Sequence, residues 1–363
     1  MLVVILGTRP EIIKTAPVVL EAQRRGIPVA IIHTGQHYDD ALDGIFFREL
    51  GLPQPAINLR VGSLPVLKQL GAMIDRLHDA FETFKPKVVM VQGDTNSVLA
   101  GALAAHKIGI PVAHLEAGLR SDDWDMPEEA NRVLAGFVAD LHFCPTEVQR
   151  ERLRGETITE GVHVVGNTVV DAALHYHEIA KSGDTLSRFG IVSPYALLTM
   201  HRPSNVDEPG RLQSMIEMLS RFAEHRGWKI VFPVHPRTKA RLVASGLWDD
   251  LAVNPNFILS EPIGYLDLLA LQSSAQLVLT DSGGLQEEAN ILRVPCVTLR
   301  ANTERPETVE AGGNVLYAGI DVHELDTLVD AMLIRPRDWS SPFGDGMTAK
   351  RVIDILMQTH LSI

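Results

Sequence analysis

Cysteine is nearly missing from this chain of 363 residues, where only Cys144 and Cys296 occur. They lie far apart, each inside an apolar strand-like run. That placement excludes a disulfide framework and a thiolate zinc site, and it points to buried thiols rather than a nucleophile. A reducing compartment is the expectation. Long apolar runs are missing too. The N-terminal MLVVILGTRPE has no basic leader, and its apolar run stops at a turn, as a first core strand does and a signal peptide does not. No stretch approaches the length of a membrane span, so a cytoplasmic location is expected. Positive charge is in deficit, with a formal net charge of −12 and a pI near 5.6. With no concentrated basic patch, a nucleic-acid or anionic membrane partner is excluded. No GxGxxG follows the first strand, and no GxxxxGK run ending in Ser or Thr occurs anywhere. A dinucleotide-dependent dehydrogenase and a P-loop phosphotransferase are therefore disfavoured. There is no HExxH, and His33 and His37 straddle a strand end and a loop rather than one helix face, so no metal site is expected. Low-complexity segments are absent as well.

What remains is an α/β protein long enough for two domains. Short apolar runs alternate with helical patterns, the mark of parallel βαβ units. Strands are expected at 2–6, 29–33, 88–92, 112–115, 141–144 and 163–165. A polar, helix-like linker follows over 168–193. A second series then runs through 195–200, 230–234, 257–259, 277–279, 296–299 and 315–317. Two series of six predict two similar domains with parallel sheets and a ligand site in the cleft between them. In such sheets ligands bind beyond the C-terminal strand ends, and the segments after these strands are dense in ionisable residues.

The segment TDSGGLQEEAN, residues 280–290, follows an apolar strand and turns directly into a helix. Ser282, Gly283 and Gly284 would present backbone N–H groups to a phosphate at that helix N-terminus, with Glu287 and Glu288 nearby for sugar hydroxyls. Phosphate with ribose means a nucleotide. The competing reading is an ordinary βα turn with acids complementing the dipole. After the first strand, Gly7-Thr8-Arg9-Pro10-Glu11 forms a second such turn, with Pro10 at an early helical position. Arg9 and Lys14, one turn on, are candidate pyrophosphate ligands; alternatively Arg9 and Glu11 pair locally.

Asp94 ends a third strand ahead of Thr95, Asn96 and Ser97, which could cap a helix. Glu116 ends the next strand, and Glu128 and Glu129 open the helix that carries Asn131 and Arg132. Asp94, Glu116 and Glu128 converging in a secluded cleft would raise one another's pKa and suit proton transfer near neutral pH. For Glu128 and Glu129, helix-dipole compensation is the alternative. His201 with Arg202, and His235 with Arg237, end neighbouring strands and read as anion ligands or an acid. Arg305 adds a cation after the strand that follows the phosphate turn.

GTRPEIIKTAP, VQGDTNS, HLEAGLRS, PEEANR and TDSGGLQEEA, in this order, resemble the non-hydrolysing UDP-N-acetylglucosamine 2-epimerases along essentially the whole chain. The resemblance implies two Rossmann-like domains in the GT-B arrangement, residues 1–170 and 171–346, with a final helix over about 347–363 packing back on the first. It implies a homodimer and no cofactor. It also implies interconversion of UDP-GlcNAc and UDP-ManNAc through loss of UDP to a 2-acetamidoglucal and re-addition. Asp94, Glu116, Glu128 and His201 match its catalytic positions. Arg9, Lys14, Arg132, His235, Ser282, Gly283, Gly284, Glu288 and Arg305 match substrate-binding positions, and Gln36 and Arg202 match an allosteric UDP-GlcNAc site in some members. Two departures, RPSNVD after His201 and Met126 in the loop before Glu128, resemble the branch acting on diacetamido-uronic or 6-deoxy UDP-sugars. A GT-B glycosyltransferase, a hydrolysing epimerase and a silent nucleotide-sugar sensor are the rival readings.

Overall fold

The computed structural model describes residues 1–36, 40–192 and 194–361. They divide into two units, residues 1–172 with 343–363, and residues 173–342. In the first unit seven strands form one parallel sheet: β1 (Leu2–Leu6), β2 (Val29–His33), β3 (Ile57–Asn58), β4 (Val88–Gln92), β5 (Val112–Leu115), β6 (Leu141–Cys144) and β7 (Val162–Val164). Their order across the sheet is β3-β2-β1-β4-β5-β6-β7. Leu2 of β1 stands opposite both Val29 of β2 and Val88 of β4. Every residue of β1 and β4 is buried, as strands covered on both faces must be, and this is why they read as continuous apolar runs instead of alternating ones. On one face Val3, Ile5, Val89 and Val91 pack with Met73, Leu77 and Phe81 of the Val66–Phe84 helix. Each such burial stabilises by roughly 1.5–3 kcal/mol.

The second unit repeats the plan with β8 (Tyr195–Thr199), β9 (Lys229–Pro233), β10 (Phe257–Ser260), β11 (Leu277–Thr280), β12 (Cys296–Thr298) and β13 (Asn314–Leu316), all parallel and ordered β10-β9-β8-β11-β12-β13. Its core joins Leu198, Phe232 and Leu279 to Met215, Leu219 and Phe222 of the Pro209–Arg226 helix. In each sheet the first strand is flanked by the second on one side and the fourth on the other. The connections diverge there and open a crevice at the strand tips, between β1 and β4 and between β8 and β11, where open α/β sheets take ligands.

The first sheet has seven strands where six are expected. β3 is two residues long and pairs only with His33 and Ile32 of β2, too short to produce a period. Several strand ends lie one residue from their expected place; β7, for example, starts at Val162 and stops at Val164. The stretch expected as a linker is ordered as a helix over Thr168–Lys181 and a short one over Thr185–Arg188. Ala172, Ala173 and Tyr176 of it are buried, and the division between units falls inside it. The first unit also contains the Thr348–Thr359 helix. Asp171 accepts the Thr348 and Ala349 N–H groups at 3.2 and 2.8 Å, satisfying orphan donors of that helix. Buried Val352, Ile353 and Leu356 supply its apolar face, and Arg25 pairs with Asp354 at 2.5 Å. Among the described residues no helix is long and apolar enough to cross a membrane.

Candidate active site

At the first unit's crevice the tips of β1, β4 and β5 present a chain of ions. Glu116, directly after β5, adopts a left-handed backbone with φ of 64°, costly for a side-chain-bearing residue and a frequent mark of function. Gly118 two residues on has φ of 83°, and a Cβ there would sit 2.5 Å from the Gln149 carbonyl oxygen; the EAG turn therefore admits only glycine at its end. This turn aims the Glu116 carboxylate at Lys14, whose Nζ bonds both oxygens at 2.8 and 2.9 Å. Gln92 of β4 also donates to it, and Asn167 lies at 3.5 Å. Both charged side chains are nearly buried, 10% and 6% exposed, so each depends on the other for solvation.

Asp94, after β4, is held by Arg132 at 2.9 Å through Nε and 2.6 Å through Nη2. Arg132 turns its other edge to Glu129 at 2.8 Å. Glu129 is buried and also accepts the Ser121 and Asp122 N–H groups. Burial draws its carboxyl up, but these donors and Arg132 win and hold it below its ordinary value. Glu128, by contrast, is exposed at the start of the Pro127–Val138 helix. Of the three carboxylates expected together, Asp94 and Glu116 each have a cation partner and Glu128 lies at the surface. The nearby Glu11 carboxyl is pushed up to about 7 by burial against the bonds of Thr95, Gly7 and Thr8. Glu11 accepts the Gly7 and Thr8 N–H groups at 2.7 and 2.8 Å. Arg9 lies over the Phe46 ring, 5.6 Å from its centroid. Gln36 accepts from Ser97 N at 3.0 Å and from Ser97 Oγ at 2.7 Å. His33 is buried, with Nδ1 accepting the Gly35 N–H. His37, the other half of the His pair, lies outside the described residues. Among the described residues no group of three or more His, Cys, Asp and Glu could hold a metal ion.

At the second unit's crevice the organiser is Asp281, fully buried at the tip of β11. It accepts the backbone N–H groups of His201 and Arg202 at 2.9 and 2.8 Å, Asn205 Nδ2 at 3.1 Å, and His201 Nδ1 at 3.0 Å. Burial would raise its carboxyl, yet the His201 contacts and the backbone donors hold it below the ordinary value. His201 is thereby fixed with its ring 5.3 Å from that of His235. His235 caps the following helix, its Nδ1 accepting the Arg237 N–H at 3.2 Å. Immediately after Asp281 comes the expected anion turn. The Ser282 N–H is already engaged with Thr280 Oγ1 at 3.0 Å, while among the described residues no bond is made by the Gly283 and Gly284 N–H groups in the first turn of the Gly283–Ile291 helix. A Cβ at either glycine would meet nothing within 4 Å, which leaves room for a phosphate at the backbone.

Two acids of that helix point inward. Glu287 pairs with Arg305 at 2.6 Å, both largely buried. Glu288, 6% exposed, faces the buried Tyr265 hydroxyl, whose pKa burial and this carboxylate raise far above its usual range. Arg300 takes Glu304 through two bonds of 2.7 and 2.8 Å. Burial pushes the Glu304 carboxyl up, but Arg300 brings it down to about 2. Arg202 adds a longer contact to Glu304 at 3.7 Å. Sequence reasoning missed Glu11, Gln92, Glu129 and Asp281 as organisers. All four sit inside or beside the quoted motifs, but the contacts Gln92 makes with Glu116 and Glu11 makes with Thr95 come from distant turns and are not written in neighbouring residues.

Two parallel-sheet units with a crevice of ionised side chains in one and an anion turn in the other define a Rossmann-like nucleotide-binding α/β protein. The family model described as UDP-N-acetylglucosamine 2-epimerase matches residues 20–357. The chain belongs to this family of isomerases and has the GT-B class of fold. The UDP-N-acetylglucosamine 2-epimerase of Methanocaldococcus jannaschii is 48% identical over 97% of this chain and 98% of that protein. A crystal structure of the M. jannaschii enzyme in complex with UDP-GlcNAc and UDP superposes with a TM-score of 0.89, covering 98% of this chain and 99% of that one. The UDP-2,3-diacetamido-2,3-dideoxy-D-glucuronate 2-epimerase of Pseudomonas aeruginosa is 37% identical over 97% of this chain and 98% of that protein.

Proposed function

We propose that this chain interconverts UDP-GlcNAc and UDP-ManNAc without a cofactor. In the forward direction a carboxylate takes the C2 proton, the C1–O bond breaks with its electron pair leaving on UDP, and a C1–C2 double bond remains in 2-acetamidoglucal. UDP then re-adds at C1 as a proton is delivered to the opposite face of C2. A C2 hydrogen without an adjacent carbonyl is a very weak acid, so the step depends on stabilising the charge of departing UDP. Asp94, Glu116 and Glu128 of the first unit serve the proton transfers, with Arg9, Lys14 and Arg132 as their cationic complement. In the second unit the Gly283 and Gly284 N–H groups, with the Ser282 side chain beside them, hold phosphate, His201, His235 and Arg305 answer its charge, and Glu288 receives the ribose. A homodimer belongs to the same reading, as do Gln36 and Arg202 as contacts for an allosteric UDP-GlcNAc.

The observation that carries the proposal is the pair of carboxylates at adjacent strand tips, Asp94 with Arg132 and Glu116 with Lys14, in a chain so similar to a UDP-GlcNAc 2-epimerase. The sequence RPSNVD after His201 and the similarity to the diacetamido-uronate enzyme favour a second reading, the same chemistry on a modified UDP-HexNAc. Proton NMR of UDP-GlcNAc with the protein in D2O tests both. Deuterium at C2 with both epimers still UDP-linked is the expected result, and Glu116→Gln should slow it by about 10²–10⁴-fold while UDP still binds. Exchange only with a UDP-linked diacetamido-uronate would select the second reading, and no exchange with any UDP-HexNAc would remove both.

A further inference from the structure

The crevice between β1 and β4 is where an α/β unit of this topology would receive a phosphate, yet a side chain of the protein's own occupies it. Glu11, only 2% exposed, stands at the third position of the Arg9–Arg24 helix and closes a capping box with Thr8. In a capping box the acid accepts from one backbone N–H; Glu11 accepts considerably more. Its Oε2 accepts the Gly7 N–H at 2.7 Å, the Thr8 N–H at 2.8 Å and the Thr8 hydroxyl at 3.0 Å. Its Oε1 accepts the Thr95 hydroxyl at 2.5 Å. Thr95 is itself the cap of the Asn96–Lys107 helix, its Oγ1 accepting from Ser97 N and Val98 N, and it directly follows Asp94. One carboxylate therefore ties the turn bearing Arg9, one helical turn from Lys14, to the turn bearing Asp94. A second device presses the same two turns together, because a Cβ on Gly7 would lie 2.3 Å from Ser97 Oγ.

We propose that Glu11 is a positioning residue: through Thr95 it sets the Gly7–Arg9 turn against the Asp94 turn, so that cation and carboxylate meet the substrate in a fixed relation. The inference rests on the epimerase reading above for its effect on rate, but the positioning itself does not. Glu11 fills the first unit's anion site, which leaves UDP phosphate to the open Gly283–Gly284 turn of the second. Loss of Glu11 should accordingly slow chemistry and leave UDP binding alone. A glutamine cannot replace it, since its amide nitrogen would face either N–H donors or a threonine hydroxyl already accepting two amides.

The test is a double-mutant cycle of Glu11→Gln and Thr95→Val, read as C2 deuteration, UDP affinity and amide hydrogen exchange. Each single variant should lower kcat by about 100-fold, the scale of a small misplacement of reacting groups. The UDP dissociation constant should stay within about 3-fold, below the tenfold that 1.4 kcal/mol would bring. The double variant should be no slower than the slower single, and Thr95→Ser, which keeps the hydroxyl, should recover most of the loss. Losses that multiply in the double variant, or wild-type turnover in Glu11→Gln, would overturn the proposal. Hydrogen exchange separates this failure from failure of the epimerase reading. Even if no UDP-HexNAc is exchanged, Glu11→Gln must deprotect Gly7, Thr8, Ser97 and Val98 together, and unchanged protection there would end the positioning role.

Discussion

Glu11 should make stability fall as pH rises through neutrality, and the size of the effect follows from its surroundings. Burial lifts its carboxyl from an ordinary 4.5 to about 7, against four hydrogen bonds that pull the other way. An acid whose folded value exceeds its unfolded value contributes stability that is complete below the unfolded value and is lost as pH climbs through the folded one. The gap between 4.5 and about 7 corresponds to about 3 kcal/mol at roughly 1.4 kcal/mol per pH unit. Glu11→Gln cannot titrate, and all other ionisable groups are common to the two proteins. The difference between their unfolding free energies therefore isolates this carboxyl. Urea unfolding at pH 4.5, 5.5, 6.5 and 8, following the transition of the first unit, should show the wild type losing about 3 kcal/mol relative to the variant across that range. A difference that stays constant with pH would refute the reasoning, and a carboxyl resonance of Glu11 that titrates near 4 would refute it directly.

Lys14→Met should leave Glu116 buried without its cation and destabilise the protein by about 3–5 kcal/mol, measured by thermal or urea unfolding; the Lys14→Met, Glu116→Gln double variant should be more stable than Lys14→Met alone, because the stranded charge is gone. Gly284→Val should scarcely change the melting temperature, since a Cβ there meets no protein atom within 4 Å, yet it should weaken UDP binding by at least about tenfold in calorimetry if phosphate approaches that backbone.

The residue pattern alone determined the βαβ rhythm and the two series of strands. It also determined the turns at which Arg9, Asp94, Glu116, His201 and Ser282 stand, because parallel strands buried on both faces need continuous apolar runs and strand-to-helix turns need glycine, proline and capping residues. Five motifs in register identified the family for the same reason: each motif is a local turn, and local geometry is written in neighbouring residues. Partnership was not legible in this way. That Lys14 meets Glu116, Arg132 meets Asp94 and Asp281 holds His201 depends on which strand tips the sheet order places side by side. Burial was decided at the same level. Glu128 and Glu129 are adjacent in sequence and equivalent by composition, yet only the helix's seat on the sheet turns one to solvent and the other to Arg132. Glu11 reads as a routine first-turn acid until the fold closes over it. Its chemistry belongs to the tertiary structure because a carboxyl's charge is set by the water removed from around it and by donors that arrive from elsewhere in the chain.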